Sequence, residues 1–488
     1  MLLAGRYEGG DSVTVLAIDQ GTSGTKAIVV DPADGIVGLA EVAVRPRYLN
    51  GGGVEHDPDE LLESVLGAGR AAVAQAGRPI HAVSLANQGE TVLAWDRQTG
   101  RPLTQAIVWQ DRRAGEVCDG LSAHAEQLAE RTGLVLDPYF SAPKMAWLRR
   151  NRETGGVITT SDSWLLYRLT GAFVTDATTA SRSLAVELGG QDWSPELLAL
   201  FGLEDEQLPT IVSNDEIIGT TAEFGAEIPV GGVVVDQQAA LLAEGCFDQG
   251  MAKCTFGTGA FLLANTGETA VRSASGLTSS LAWRIAGNDT FCVDGQVYTA
   301  ASAIRWLSSL GVITGAEEMD GLAAPDNGGV MCVPAFAGLA APRWKASATA
   351  SISGMTLSTG RGHIVLAVLQ GIAGQIAELV SAINADTTSA LTTLRADGGL
   401  TQSKVLMQAC ADIVQLPVEI YPSAHATALG AAALARLSLQ PQQSVREVVA
   451  HWQPSATYEP SWTPTRAAEF ADRWRQLADT TYSQEGLK

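Results

Sequence analysis

The chain is 488 residues long with 46% hydrophobic and 17% charged residues, a folded globular composition with room for several domains of about 150 residues each. Its net charge of -21 argues against binding a nucleic-acid backbone, which wants basic patches, but leaves phosphate ligands open, because local backbone N–H groups can hold them. Six cysteines (Cys118, Cys246, Cys254, Cys292, Cys332, Cys410) show no CxxC spacing, so neither a zinc site nor a disulfide framework is indicated, and a reduced cytoplasm is the expected compartment.

The opening "MLLAGRYEGGDS" lacks the apolar stretch of a signal peptide. "VLAIDQGTSGTKAIVVD" (15–31) then reads as two buried strands around a polar, glycine-containing turn. It is either a decorated hairpin or a phosphate cradle. His56 falls in a loop ahead of "DPDELLESVLGAGRAAVAQAG" (57–77), an amphipathic helix capped by Asp57 or Asp59, and suits a structural or capping role. "PIHAVSLAN" and "QGETVLAWD" read as strands, and "SDSWLLYRLTG" (161–171) as a helix.

"IPVGGVVVDQQAALLAEG" (228–245) marks a domain boundary, giving domains at 1–245 and 246–488. Just beyond it, "MAKCTFGTGAFLLAN" (251–265) echoes the first hairpin, which suggests a duplicated architecture with a cleft between two lobes. "VMCVPAFAGLAAP" (330–342) is too short and too proline-broken for a membrane span, and "HIVLAVLQGIAGQIAELVSAIN" (363–384) reads as a helix. Strands and helices alternate throughout, so the class is α/β.

No GxxxxGK[ST] loop is present, and "FGTGAFL" lacks the third glycine of a dinucleotide fingerprint. Small residues in a tight hairpin can still aim N–H groups and hydroxyls at phosphate. Asp19 beside such a cradle would repel phosphate unless a cation lay between them, and magnesium is the expected one. Asp236, after three valines, is either the N-cap of the following helix or a carboxylate placed to accept an alcohol proton. The remaining histidines (His81, His124, His363, His425, His451) have no metal spacing.

The blocks "DQGTSGTKA", "NQGETVLAWDRQTGRPLTQAIVWQDRRA", "TGLVLDPYFSAPKMAWL", "GMAKCTFGTGAFLLANTGE" and "VPAFAGLAAPRW" resemble the FGGY carbohydrate kinases, the glycerol kinase branch more than the pentulose kinases. The resemblance runs from about residue 13 to 437. It implies a two-lobed actin-like ATPase fold with ribonuclease-H-like βαβ cores, an interlobe cleft, and phosphorylation of a polyol or sugar by ATP with Mg²⁺. By match to the family's motifs, Thr22, Ser23, Gly24 and Lys26 meet ATP phosphates, with Asp19 near the metal. Gly257, Thr258 and Gly259 hold the phosphates from the second hairpin. Ala301, Arg305, Gly398, Gly399 and Ser403 fall on the nucleotide side. Asp236 aligns with the catalytic base, and Gly89, Glu90, Trp109, Tyr139, Asp236, Gln237 and Phe261 with the acceptor pocket.

The chain also departs from the pattern. Lys26 stands where glycerol kinases carry arginine, keeping the charge without the fork. Ala301, Arg305 and Ser403 replace a glycine, a glutamine and an asparagine. Gly89 replaces the arginine of Asn-Gln-Arg-Glu-Thr, a loss of roughly 1.5–3 kcal/mol toward polyol hydroxyls. Either a longer polyol or a ketose of four or five carbons fills that space, or another side chain swings in and glycerol remains the acceptor. A ketopentose kinase is the alternative within the family. A non-catalytic actin-like ATP-binding protein is the alternative of another class, disfavoured by the joint retention of Glu90, Tyr139, Asp236 and Gln237. "EFGAEIPVGG" has no fructose-bisphosphate loop and "VELGGQDWSPELL" no phosphorylatable histidine, so neither control is expected. The expected partners are a small-molecule substrate, no nucleic acid and no membrane; a homodimer and a homotetramer both stay open.

Overall fold

The computed structural model describes residues 13–152 and 155–482, so the opening dodecapeptide read for a leader lies outside the described residues. Two compact units emerge. Unit 1 comprises Met1–Gly245, Leu281–Asp289 and Thr427–Ala450, and unit 2 comprises Cys246–Ser280, Thr290–Ala426 and His451–Lys488.

Unit 1 is built on a six-stranded sheet. β1 (Val15–Gln20), β2 (Gly24–Asp31) and β3 (Gly35–Ala43) form an antiparallel meander, and β1 runs parallel to β4 (Ala82–Asn87). β5 (Ile217–Thr221) and β6 (Ile228–Val235) complete the order β5-β6-β4-β1-β2-β3. The inner strands are buried along nearly their whole length, which is why they read as continuous apolar runs rather than as alternating ones. α1 (Pro58–Ala76) begins as the sequence dictates: Asp57 caps it by accepting from the Asp59 N–H, Pro58 takes the first turn, and Gly77 closes it in the left-handed region. Its Leu61, Leu62, Val65, Ala68 and Ala72 pack into the core formed by Leu16, Ile18, Ala27 and Val29. Each fully buried Leu or Val side chain there contributes about 1.5–3 kcal/mol.

His56 differs from the loop reading. It ends the strand Val54–His56, paired with Ala106, and is fully buried. The alternation Val54-in, Glu55-out, His56-in carries the ring inward, a pattern too short to be seen in sequence.

Unit 1 also carries the helices α2 (Ser141–Asn151), α3 (Ala177–Ser181) and α4 (Asp236–Ala243). At the heart of unit 2, a seven-stranded sheet carries the hairpin β7 (Ala252–Phe256) and β8 (Ala260–Gly267), with β9 (Leu394–Asp397) parallel to β7 and β10 (Val418–Ile420) beyond it. α5 (Ala301–Ser309), α6 (Arg361–Asp386) and α7 (Lys404–Val414) pack on it. α6 is long and apolar enough to cross a membrane, yet most of it is buried within the protein, which is the signature of a core helix. α8 (Ala426–Leu439) lays Ala428, Ala432 and Ala435 against Val15, Ala17 and Ile28 of unit 1. No disulfide links the six cysteines.

Candidate functional site

The first hairpin and the segment after β4 are joined by polar side chains. Gln88 N–H donates to the Gln20 carbonyl at 2.9 Å, continuing the β1–β4 ladder one residue past the sheet. Thr22 Oγ1 donates to Gln88 Oε1 at 3.1 Å and accepts from Trp109 Nε1 at 2.9 Å. The Thr22 hydroxyl, expected at phosphate, therefore anchors the Trp109 ring in this structure. Gly21 N–H closes the turn on the Gly24 carbonyl at 3.0 Å, leaving Ser23 exposed at its tip. Asp19 sits half-buried at the end of β1, opposite Lys26.

Beyond Gln88 the chain folds back sharply. Thr91 N–H donates to the Gly89 carbonyl at 2.8 Å, and the central residue, Glu90, has φ 59°. A non-glycine residue at positive φ inside so tight a turn costs of order 1–3 kcal/mol, and the strain aims the Glu90 side chain. The buried carboxylate meets Arg182, whose Nε donates to Glu90 Oε1 and whose Nη2 lies 3.4 Å from the Tyr139 hydroxyl. The guanidinium also lies near the Tyr139 and Phe140 rings, 5.7 and 5.8 Å from their centroids. Trp109 meets Tyr139 edge to face, with centroids 5.7 Å apart at 79°. At Gly89 an added Cβ would have only the Val235 methyls within 4 Å, the nearer at 3.4 Å.

Arg182 is the member of this side-chain cluster that motif reading missed. It follows α3, in a stretch without apolar periodicity, and no feature of "TASRS" by itself points to the pocket. The one available signal is Asp176, an N-cap ahead of two threonines, which fixes where this short helix begins.

Tyr139 is held from behind. Lys144, fully buried on α2, donates from Nζ to the carbonyls of Pro138 (2.9 Å), Tyr139 and Phe140 (2.7 Å). Burial pulls this ammonium down to about 7, opposed by the charges of Glu90, Asp111 and Asp137. Asp137 fixes the other side of the turn, accepting from Tyr139 N–H at 2.9 Å and from Arg112 Nη1 at 2.8 Å. His56 is held neutral: burial lowers its pKa to about 4, a backbone contact at Thr22 opposing, and neither ring nitrogen has a partner of good geometry.

Asp236 opens α4, but the cap position belongs to Val235, and no side chain caps this helix. The stand-alone reading of Asp236 as an N-cap is thereby corrected; its Oδ1 accepts instead from the adjacent Gln237 N–H at 2.7 Å. The register of β6 against β4 shifts between Val230 and Val233, a bulge at Gly231–Gly232 just before the carboxylate. Gly430 of α8 lets the two helices touch, since a Cβ there would fall 1.9 Å from the Ala239 carbonyl oxygen.

In unit 2 the second hairpin turns tightly at Gly257-Thr258-Gly259, with Gly257 N–H donating to the Gly259 carbonyl at 2.9 Å. The start of α5 is tied to it: Ala301 N–H donates to the Gly257 carbonyl at 3.1 Å and Ser302 N–H to that of Thr258 at 3.2 Å. Gly398, at φ 93°, lets β9 end against the hairpin, where a Cβ would lie 2.5 Å from the Phe256 oxygen. Phe261 stands on β8 opposite Gln296, and Arg305 lies on the exposed side of α5. Gly399 begins a turn with open space where a Cβ would go. The Ser403 hydroxyl is occupied, accepting from Leu406 N–H as the α7 cap and bonded to Asp320. Asp397 is pushed up by burial, against the charge of Lys253. Among the described residues no three His, Cys, Asp or Glu side chains cluster to cage a metal.

Residues 14–243 match the N-terminal domain, and residues 252–439 the C-terminal domain, of the FGGY family of carbohydrate kinases. A glycerol kinase of Bordetella parapertussis is 42% identical over 489 aligned positions, covering 95% of this chain and 96% of that protein. Glycerol kinase 2 of Thermotoga maritima is 40% identical, covering 96% and 99%. The crystal structure of Plasmodium falciparum glycerol kinase with ADP superposes with a TM-score of 0.90 at 33% identity, over 98% of this chain and all of that one. The fold is thus that of the actin-like ATPases.

Proposed function

The chain belongs to the FGGY family of carbohydrate kinases and is an ATP-dependent sugar or polyol kinase, and from that premise we propose that its acceptor is glycerol. The Arg182 guanidinium on Glu90 and Tyr139 carries this reading, because it supplies the donor fork that Gly89 cannot. In this account Glu90 and Arg182 orient the two hydroxyls that do not react. Trp109 and Tyr139 cover the carbon chain, and Gln237 and Phe261 complete the contacts. Asp236 accepts the proton of the terminal hydroxyl as its oxygen attacks the γ-phosphorus; the new O–P bond forms while the β,γ-bridging bond breaks, and ADP leaves.

The phosphates are assigned to Thr22, Ser23, Gly24 and Lys26 of the first hairpin and to Gly257, Thr258 and Gly259 of the second. Ala301, Arg305, Gly398, Gly399 and Ser403 lie toward the nucleoside, where the bound Ser403 hydroxyl favours backbone contact over a side-chain bond to the base. A single carboxylate at Asp19 fits magnesium, which usually takes one or two carboxylates and completes its shell with phosphate oxygens and water. When bound, that ion supplies charge neutralisation on the phosphates.

The open flank of Gly89 supports a second reading, in which a longer polyol or a four- or five-carbon ketose enters that space. Coupled ADP release with ATP and Mg²⁺ against glycerol, erythritol, threitol, the pentitols and the ketopentoses separates the two. Glycerol as the acceptor of highest kcat/KM supports the proposal, and a longer acceptor exceeding it tenfold overturns it.

A further inference from the structure

Apart from Arg182 at its end, the stretch "TDATTASR" (175–182) has no part in the phosphate or acceptor contacts proposed above, yet it touches the main chain on which Asp236 rests. Asp176 is fully buried and caps α3, accepting at Oδ1 from Thr178 N–H (2.8 Å), Thr179 N–H (3.1 Å) and Asn214 Nδ2 (3.0 Å). The Thr178 hydroxyl donates to the same oxygen. A hydroxyl has one proton to give and two lone pairs. With its proton committed to Asp176, Thr178 Oγ1 can only accept, and it accepts from Val235 N–H at 3.0 Å. Val235 is the residue immediately before Asp236. Asn214 makes the matching bond two residues earlier, donating from Nδ2 to the Val233 carbonyl at 2.7 Å. Asn214 is itself fixed, its Oδ1 accepting from Arg284 N–H at 2.7 Å.

The Val235 N–H and the Val233 carbonyl of β6 are therefore both tied to one buried carboxylate. This matters because the Gly231–Gly232 bulge loosens the ladder of β6 just upstream. Val233–Val235 still pair with Leu85–Asn87 of β4, but the pairing of β6 with β5 ends at Gly231, so the other edge of the strand end needs a separate anchor if Asp236 is to point reproducibly. Arg182, at the other end of the same segment, holds Glu90, so the seven residues Asp176–Arg182 link the two carboxylates of the proposed acceptor pocket.

We propose that Thr178 and Asn214 are positioning residues for phosphoryl transfer, holding the Asp236 carboxylate in place through hydrogen bonds to Val235 N–H and the Val233 carbonyl. The inference rests on Asp236 acting as the base. Neither side chain need touch the substrate, so their loss misplaces the base without removing acceptor contacts, and a displacement of about 1 Å can cost on the order of a hundredfold in rate.

The test compares Thr178→Val, which keeps the shape and loses the relay, with Thr178→Ser, which restores the hydroxyl. Both are assayed with the acceptor that wild type turns over best. Thr178→Val should lower kcat 10- to 100-fold with acceptor KM and ADP affinity within threefold of wild type, and Thr178→Ser should recover kcat to within threefold. An unchanged kcat in Thr178→Val, or a Thr178→Ser variant as slow as the valine one, overturns the inference. Should Thr178→Val fail to fold, Asn214→Ser, which removes the clamp on Val233 together with the Asn214 bonds to Asp176 and Arg284, is judged by the same kcat-against-KM criterion. An inactive wild type would instead overturn the kinase reading itself, whereas an active wild type with an indifferent Thr178 overturns only the positioning role.

Discussion

Replacing Arg182 probes the proposed acceptor pocket at a buried ion pair. The Arg182 and Glu90 side chains are 6% and 4% exposed, so their ion pair lies out of water. Arg182→Lys keeps a charge but loses the planar fork that reaches Glu90 and the Tyr139 hydroxyl together. One charged hydrogen bond to the acceptor is worth about 1.5–3 kcal/mol, so kcat/KM for glycerol should fall roughly 10- to 150-fold. Arg182→Met goes further and strands a buried carboxylate on a residue already at positive φ. Breaking a buried pair from one side costs about 3–5 kcal/mol, and at a melting entropy of about 2.1 cal/mol/K per residue, about 1 °C per kcal/mol for a chain of this length melting as a whole, the melting temperature should drop by about 3–5 °C. Steady-state kinetics by coupled ADP release and a calorimetric melt read the two effects separately. An Arg182→Lys enzyme with glycerol kcat/KM within twofold of wild type would refute the reasoning and reduce Arg182 to a structural counter-charge.

Three further outcomes follow from the same geometry. Lys144→Met removes the donor to three consecutive carbonyls behind Tyr139, so acceptor KM should rise several-fold and stability fall by about 2–4 kcal/mol, read by denaturant unfolding. His56 has a folded pKa of about 4 against an unfolded value of 6.5, so on acidification the unfolded chain takes the proton first. The stability this group contributes is complete above pH 6.5 and is lost as pH falls toward 4, by about 2 kcal/mol between pH 7 and 5; His56→Leu should flatten the acid side of the stability profile by that amount. Gly430→Ala would press a methyl onto the Ala239 carbonyl at 1.9 Å, so it should lower the melting temperature by several degrees and, by shifting α4, lower kcat as well.

Much of this architecture was legible because its signals are local. The apolar runs of β1 and β4, the Asp57-Pro58 start of α1 and the glycine turns at 21–24 and 257–259 each carry their structural cause within a few residues. What stayed hidden depends on contacts distant in sequence. Arg182 finds Glu90 across 92 positions, and nothing in either local run announces the partner. The anchoring of Val235 by Thr178 spans 57 positions and uses a threonine that, read alone, is one more polar residue in a short helix. His56 was misplaced because a three-residue strand has no period to detect. The chain's returns to unit 1 at Leu281–Asp289 and Thr427–Ala450 left no mark in composition, since apolar helices and hairpins look alike in either unit. Gly89 shows the opposite case: its sequence signal is plain, but the neighbourhood of Glu90, Arg182 and Tyr139 beside it is visible only in the fold.

The central claim, phosphoryl transfer to a polyol with Asp236 as base, is tested most directly by following ATP, ADP and phosphomonoester together by phosphorus NMR in the presence of glycerol and Mg²⁺. The account predicts one glycerol phosphate formed per ADP by the wild-type protein. It predicts a rate about 10²–10⁴-fold lower in Asp236→Asn with an unchanged melting temperature. ADP and inorganic phosphate without a phosphomonoester, or an Asp236→Asn protein as fast as wild type, would contradict it.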